Sequence, residues 1–337
     1  MKSFRSAVIG CGNISRRHTE ALTESSRSEL VAVCDIREDR AAAAGEKFGV
    51  PYYTDYRDVL AREDIDCIHI CTPHWLHAPI AIAAFAAGKH VFTEKPMATT
   101  PEDAEAMIRA AEAAGKYLGV CFQNRYKFIN AKLRELVLSG AYGKPVGGKG
   151  IVTWFRDPAY YTDSGWRGNF ETEGGGVLIN QSIHTLDLLI WTLGDPTGIR
   201  ANCGIFSELL ENVIEVEDTA TAHLRFEGGA TALFFASNAW KNNAAVQFEI
   251  QCENALLTAT EDELIILHAD KRCERIVDTT PKTDDKSYWG NCHSIIIEDF
   301  YAAIAEGRPF AVDGKEGIRA LHVIDGIYKA SGFGPRA

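Results

Sequence analysis

From residue 4 onward the chain repeats one pattern: a short apolar run, a turn signal, then residues of helical period. The runs are SAVIG, LVAVCD, IDCIHICTP, KHVFTEKP and KYLGVCF, and helices are predicted between them over about 13–25, 37–48, 75–87 and 101–115. No polar alternation interrupts these runs, so each predicts a strand covered on both faces, as in a parallel sheet flanked by helices. One helix start is well marked. Thr100 can cap it, Pro101 suits the first helical position, and Asp103 sets negative charge at the positive end of the helix dipole.

After about residue 122 the rhythm changes. A helix is predicted over about 127–138, and GKPVGGKGIVTWF then reads as a strand of mixed exposure. Farther on, IRANCGIF, DTATAHLRF, GATALFFAS, AVQFEIQC, ALLTAT and ELIILHA read as strands. Alternation is clearest in TATAHLRF, as a sheet with one covered face requires. Helices over about 291–306 and 315–330 close the chain. The pattern therefore predicts an α/β protein. A doubly wound domain over 1–121 precedes an α+β domain over 122–337 with a large, mostly antiparallel open sheet, the C-terminal helix being free to pack back on the first domain.

Composition narrows the function. A chain of 337 residues with 46% hydrophobic residues can bury the core of two domains. Its net charge of −11, with no basic run longer than a pair, argues against a general nucleic-acid binder. Nine cysteines, odd in number and scattered, do not form the pattern of a secreted disulfide framework. The first apolar stretch is too short for a signal-peptide core, and none approaches the roughly 18 residues of a membrane span. A cytoplasmic location with no membrane and no nucleic-acid partner is expected.

The sharpest motif is AVIGCGNIS, which follows a strand and precedes a helix, with Asp35 ending the next strand. Gly10 allows a tight turn, and Gly12 lets a pyrophosphate approach the backbone at a helix N-terminus. Ser15 takes the place of a third glycine where helix and strand pack closely. Asp35 lies 23 residues beyond Gly12, near the spacing at which an acidic side chain accepts from both hydroxyls of an adenosine ribose. A 2'-phosphate would meet that carboxylate, so NAD is favoured over NADP; Arg37 and Arg40 are the residues that argue the other way. Asn13, Ile14 and Ile36 complete the expected dinucleotide turn.

Two polar clusters follow strand ends, CTPHWLH at 71–77 and TEKP at 93–96. In an open parallel sheet the ligand crevice lies outside the carboxyl ends of the strands, which puts Thr72, His74, His77, Glu94 and Lys95 at the cofactor. Gln123, Asn124 and Arg125 leave the fifth strand in the same neighbourhood. EGGGVLINQSIHTLDLLIWTLG at 173–194 reads as a glycine-rich entry to a helix, with Asn180, His184 and Asp187 on one face. The surrounding residues, Val177 and Ile183 among them, are apolar enough to bury that helix, so these polar groups need partners or a pocket. His77, His184 and Asp187 are metal-ligating residue types, but hydride transfer to a nicotinamide requires no metal and none is expected.

The chain resembles, over essentially its whole length, the Gfo/Idh/MocA family, named for glucose-fructose oxidoreductase and inositol dehydrogenase. The matching features are VIGCGNIS, CTPHWLH, EKP at 94–96 and GGGVLINQSIHTLDLLIWTLGDP at 174–196. The resemblance implies a Rossmann domain, a second domain whose open sheet face makes homodimers or homotetramers, and reversible oxidation of a sugar or cyclitol hydroxyl. It implies that Lys95 is the catalytic lysine and that His184 stands at the reacting hydroxyl. Many members carry aspartate where this chain has Asn180. An amide cannot take up a proton as a carboxylate does, which leaves His184 as general base and Asn180 to position substrate. INQSIH together with YYTDSGWRG at 160–168 is most similar to members acting on glycosides and uronic-acid sugars, some at pyranoside C3. Tyr161, Trp166, Arg167 and Asp187 are then expected at the substrate, Trp166 and Arg167 also near the cofactor; the alternative for the aromatic residues is domain-interface core.

Three functions follow as expectations. The first is an NAD-dependent sugar or glycoside dehydrogenase. The second is redox-assisted glycoside cleavage or epimerisation with recycled NAD, because oxidation at C3 acidifies the C2 proton. The third is a dinucleotide-sensing or structural protein that has lost catalysis, against which the retained Lys95 and His184 argue.

Overall fold

The computed structural model describes residues 3–279 and 292–334. Residues up to Gln123 group with Cys292–Ile318 into one compact unit, and the described residues from Asn124 and from Arg319 onward form a second.

The first unit is built on β1 (Phe4–Ile9), α1 (Ser15–Glu24), β2 (Ser28–Cys34), α2 (Glu38–Phe48), β3 (Tyr52–Tyr53), α3 (Tyr56–Leu60), β4 (Cys67–Ile70), α4 (His77–Ala86), β5 (His90–Thr93), α5 (Pro101–Ala114) and β6 (Leu118–Val120). The strands lie in the order β3-β2-β1-β4-β5-β6, every pair parallel. The order reverses beside β1, and this switch point opens the crevice for a ligand. Covered faces explain the unbroken apolar runs: Cys67, Ile68, His69 and Ile70 of β4 are all buried. The short β3 and α3 carry too few residues to show a period and were not anticipated. Thr100 caps α5 as expected, its hydroxyl accepting from the Asp103 N–H at 3.1 Å.

The second unit contains α6 (Phe128–Leu138), β7 (Pro145–Thr153), α7 (Pro158–Thr162), α8 (Ile183–Leu193), β8 (Pro196–Gly204), β9 (Thr219–Phe226), β10 (Thr231–Ser237), β11 (Gln247–Cys252), β12 (Ala255–Ala259), β13 (Glu263–His268) and β14 (Cys273–Val277). Its sheet runs β14-β13-β12-β11-β7-β10-β9-β8, antiparallel except where β7 pairs with β10. Ala220, Ala222, Leu224 and Phe226 of β9 point into the core, and the residues between them face out. Helix α8 covers the inner face: a side chain at Gly150 would come within 2.9 Å of Leu189. Leu233, Val146 and Leu267 are about half exposed.

Helices α9 (His293–Glu306) and α10 (Gly314–Ser331) end the described chain. The expected start of the first of them at 291 lies outside the described residues. Among the described residues no helix is long and apolar enough to cross a membrane.

The glycine triplet before α8 answers a packing demand. A Cβ at Gly176 would lie 1.9 Å from the Glu217 carbonyl oxygen, and one at Gly175 would lie 2.1 Å from the Tyr328 hydroxyl. Beneath them the fully buried Glu217 carboxylate accepts from the N–H groups of Gly176 (3.0 Å) and Leu178 (2.9 Å) and from the Tyr328 hydroxyl (2.8 Å). Burial pushes this carboxyl up to about 7 in spite of the three donors. Gly176→Ala should therefore destabilise the protein by about 1–3 kcal/mol or more, read as a lower thermal midpoint; an unchanged midpoint would remove close packing as the reason for the triplet.

Candidate active site

The dinucleotide turn forms where β1 ends. Gly10 has φ +96°, and a Cβ there would meet the Cys71 carbonyl oxygen at 2.5 Å, whereas a Cβ at Gly12 would have nothing within 4 Å. The first glycine lets the turn pass β4, and the second leaves open space above the backbone. Ser15 begins α1, its hydroxyl donating to the Gly12 carbonyl at 2.6 Å. Asp35 accepts from the Cys11 N–H at 2.7 Å and the Arg37 N–H at 2.9 Å, one at each oxygen. Each oxygen keeps a second acceptor direction for a ribose hydroxyl. Ile36 beside it is 89% exposed, an apolar surface on which a base can lie, and Asn13 is exposed in the turn that follows β1. The Arg37 guanidinium is paired with Asp39 at 2.8 Å on the surface.

Behind the turn, β4 and β5 deliver the two polar clusters. The buried His77 ring ties them together, Nδ1 lying 2.7 Å from the Pro96 carbonyl and Nε2 2.9 Å from that of Thr72. Burial lowers its pKa against these two acceptors. His74 is buried one turn earlier, and the Thr72 hydroxyl oxygen is buried without a hydrogen-bond partner among the described residues. Lys95 is partly exposed. Its N–H donates to Glu94 Oε2 at 3.2 Å, so the buried Glu94 holds the backbone from which the lysine extends.

Glu94 heads a buried hydrogen-bond chain that has no marked signature in the sequence. Its Oε1 lies 2.9 Å from His18 Nε2, and His18 Nδ1 lies 2.9 Å from His69 Nδ1. His69 Nε2 is 2.7 Å from the Tyr301 hydroxyl, itself 2.6 Å from Ser6 Oγ. Burial raises the Glu94 carboxyl, but the rings of His18 and His293 directed at it win and hold it well below the usual range. Burial lowers the pKa of both His18 and His69. An ionised Glu94 can only accept, so the directions follow: Ser6 donates to Tyr301, Tyr301 to His69, His69 to His18 and His18 to Glu94. Every ring nitrogen in this order has a partner while both rings stay neutral.

In the second unit the structure revises the placement of Asn180. Helix α8 begins only at Ile183, so Asn180 lies in the preceding turn, its N–H bonded to the Gly176 carbonyl. It does not share a helix face with His184 and Asp187. The glycine packing described above fixes that turn, which helical spacing alone does not show. Asp187 is fully buried, and its carboxylate takes the Arg125 guanidinium bidentately, at 2.9 Å from Nε and 2.6 Å from Nη2. These two expected ligand residues are thus turned on each other, with the Trp191 ring against Arg125. With His77 held by two carbonyls and Asp187 by Arg125, both side chains have commitments other than a metal. Asn124 Oδ1 is buried without a hydrogen-bond partner among the described residues.

Tyr161 belongs largely to a core of Leu210, Ile214 and Val216, its hydroxyl accepting from Asn238 at 3.1 Å. The expected stacking edge is instead formed with its neighbour. Arg167 lies 4.4 Å from the Tyr160 ring and 4.6 Å from that of Trp166. Tyr160 accepts from Gln181 at 2.9 Å and lies 3.4 Å from Asn180 Nδ2. Glu173, which the sequence reading did not single out, is 1% exposed and accepts the Asn180 amide at 2.5 Å. Its place just before three glycines was the available signal. His184 is partly buried on the first turn of α8.

The glycine cradle, the acceptor at the end of β2 and the apolar surface at Ile36 fit NAD. Family comparison agrees with that fit. Residues 4–122 match the model of an oxidoreductase family with an NAD-binding Rossmann fold, and residues 130–258 match the Gfo/Idh/MocA C-terminal domain. The chain belongs to the Gfo/Idh/MocA family. Among its relatives, the D-glucoside 3-dehydrogenase of Escherichia coli is 33% identical over 67% of this chain and 68% of its own length. The 1,5-anhydro-D-fructose reductase of Ensifer adhaerens is 27% identical over 99% and 98%. The WlbA dehydrogenase from Bordetella pertussis, solved with NADH and UDP-GlcNAcA, superposes with a TM-score of 0.85 at 27% identity, covering all of both chains. This family member is an NAD-dependent oxidoreductase.

The Arg125–Asp187 pair allows a direct check. Asp187→Asn leaves a buried guanidinium without its counter-charge and should cost about 3–5 kcal/mol, measured by denaturant unfolding. A loss below about 1 kcal/mol, the range of an exposed pair, would mean that the pair is open to water.

Proposed function

We propose that this enzyme reversibly oxidises a secondary hydroxyl of a sugar or glycoside, with pyranoside C3 the favoured position, and that it prefers NAD to NADP. The observation that carries the reading is the cluster of Asn180, Tyr160, Trp166 and Arg167, Asn180 standing four residues before His184. It offers an amide, a phenol and a guanidinium lying against aromatic faces, the chemistry that recognises a ring with several hydroxyls. The activities of the relatives, D-glucoside 3-dehydrogenase and 1,5-anhydro-D-fructose reductase among them, support the same class.

NAD supplies a hydride acceptor at nicotinamide C4. In this reading His184 takes the hydroxyl proton, Lys95 stabilises negative charge on the substrate oxygen, and Asn180 holds a hydroxyl in register. The Glu94 chain acts on the reaction through Lys95 by fixing its backbone. Positioning supplies much of the rate, since both hydride and proton must leave one carbinol centre. The half-exposed apolar side chains of the second sheet support a homodimer or homotetramer built on its open face, which sedimentation equilibrium would measure.

Two experiments test the reading. With NAD and a panel of methyl α- and β-D-glucopyranosides, 1,5-anhydro sugars, uronic-acid sugars and myo-inositol, absorbance at 340 nm should rise with at least one donor. Lys95→Ala and His184→Ala should each lower turnover at least about hundredfold while NAD affinity stays near wild type. Product release without NADH accumulation would favour redox-assisted cleavage or epimerisation instead, and no turnover by an NAD-loaded protein would favour the non-catalytic reading. For the cofactor, Asp35→Ser should narrow the gap between NAD and NADP by removing the carboxylate that a 2'-phosphate would meet; an unchanged ratio would move the discrimination elsewhere.

A further inference from the structure

Glu173 is a buried carboxylate that the proposed chemistry does not use, and its contacts are directional. Gly168 donates its N–H to Oε2 at 2.6 Å, and Asn180 Nδ2 donates to Oε1 at 2.5 Å. An ionised carboxylate only accepts, so the Asn180 amide must face it with nitrogen, and a planar amide then turns its carbonyl oxygen away. The Tyr160 hydroxyl, 3.4 Å from the same Nδ2, stands on the nitrogen side as well.

We infer that Glu173 decides whether Asn180 meets the substrate as a hydrogen-bond acceptor or as a donor, and so acts as a specificity-determining residue behind the substrate contact. The inference rests on the proposed binding of a sugar hydroxyl by Asn180. Its logic lies in the two oxygens of Glu173. Oε2 is committed as an acceptor by the Gly168 N–H, so a proton taken from solvent goes to Oε1, the oxygen that faces Asn180. Oε1 then donates, Asn180 must offer it the carbonyl oxygen, and the amide turns over to present its NH2 to the sugar. Nothing but one proton is gained, and no other bond is made or broken.

The surroundings place this proton near neutrality. Burial pushes the Glu173 carboxyl up to about 7; the Gly168 N–H, the Asn180 amide and the Arg167 guanidinium oppose the rise, and Glu217 adds to it. Tyr160 and Tyr161 also face the carboxyl, and burial raises the pKa of both; Arg156 lies against the Tyr160 ring. Asn180 is thus an acceptor above about pH 7 and a donor below it.

The test uses the full-length enzyme with NAD and the better methyl glucopyranoside of the panel. Wild-type KM should rise about tenfold as pH falls from about 8.5 to about 6, one hydrogen bond's worth of binding, with a smaller change in kcat. In Glu173→Gln the new amide must accept from Gly168 and donate to Asn180, which fixes the turned-over state. KM should then be about tenfold higher at pH 8 and flat across the same range. Adding Asn180→Asp to Glu173→Gln restores an acceptor toward the sugar and should bring KM back down, a rescue that a merely structural role would not give. A wild-type KM flat from about pH 6 to 8.5, which requires no variant to fold, would overturn the inference. So would a Glu173→Gln enzyme with wild-type KM and pH dependence, or a double variant without recovery. Those outcomes leave the dehydrogenase reading intact so long as Lys95→Ala and His184→Ala remain inactive; if either keeps full turnover, or no glycoside is oxidised, the reading itself fails first.

Discussion

A carboxylate taken out of water must be given donors or must take up a proton, and among the described residues four of the buried ones, Glu94, Asp187, Glu217 and Glu173, stand at the points that hold the functional segments. Glu94 is given the imidazoles of His18 and His293 and stays anionic, fixing the start of the segment that carries Lys95. Asp187 is given a bidentate guanidinium and anchors α8 to the turn at Arg125. Glu217 is given two backbone N–H groups and a phenol, which bind the glycine triplet to α10. Glu173 is given one backbone N–H and one side-chain amide, the smallest set of the four, and its proton is the one placed to matter for substrate. Glu173 and Glu217 are both pushed up to about 7, their donors repaying desolvation only in part, whereas the rings directed at Glu94 hold it well below the usual range.

These anchors also explain why the glycines are where they are. A Cβ at Gly176 would strike the Glu217 carbonyl and one at Gly175 the Tyr328 hydroxyl, so only glycine lets this backbone lie against the segments that hold the buried carboxylate. At Gly10 the obstacle is the carbonyl of Cys71, and the gain is a turn tight enough to set the first helix over a ligand. Glycine therefore serves close approach in both units, once for a cofactor and once for the polypeptide's own carboxylate.

Much of this was legible in the order of residues. The parallel sheet follows from apolar runs without alternation, the second sheet from alternation, and the cap of α5 from Thr100 and Pro101. What escaped were short elements, β3, α3, α7 and β14, where two to five residues cannot display a period. The helical reading of Asn180, His184 and Asp187 failed because the helix starts three residues after Asn180, at a place set by glycine contacts with segments distant in sequence.

The sequence by itself determined the two architectures, the dinucleotide turn and the identity of the chemical groups, because periodicity, turn chemistry and motif spacing are local properties of the chain. Tertiary structure alone decided which groups are spent on one another. It joined Arg125 to Asp187 and His18 to Glu94, and it set Glu173 behind Asn180, because a hydrogen bond depends on where two side chains meet in space and at what angle. A list of residue types fixes neither.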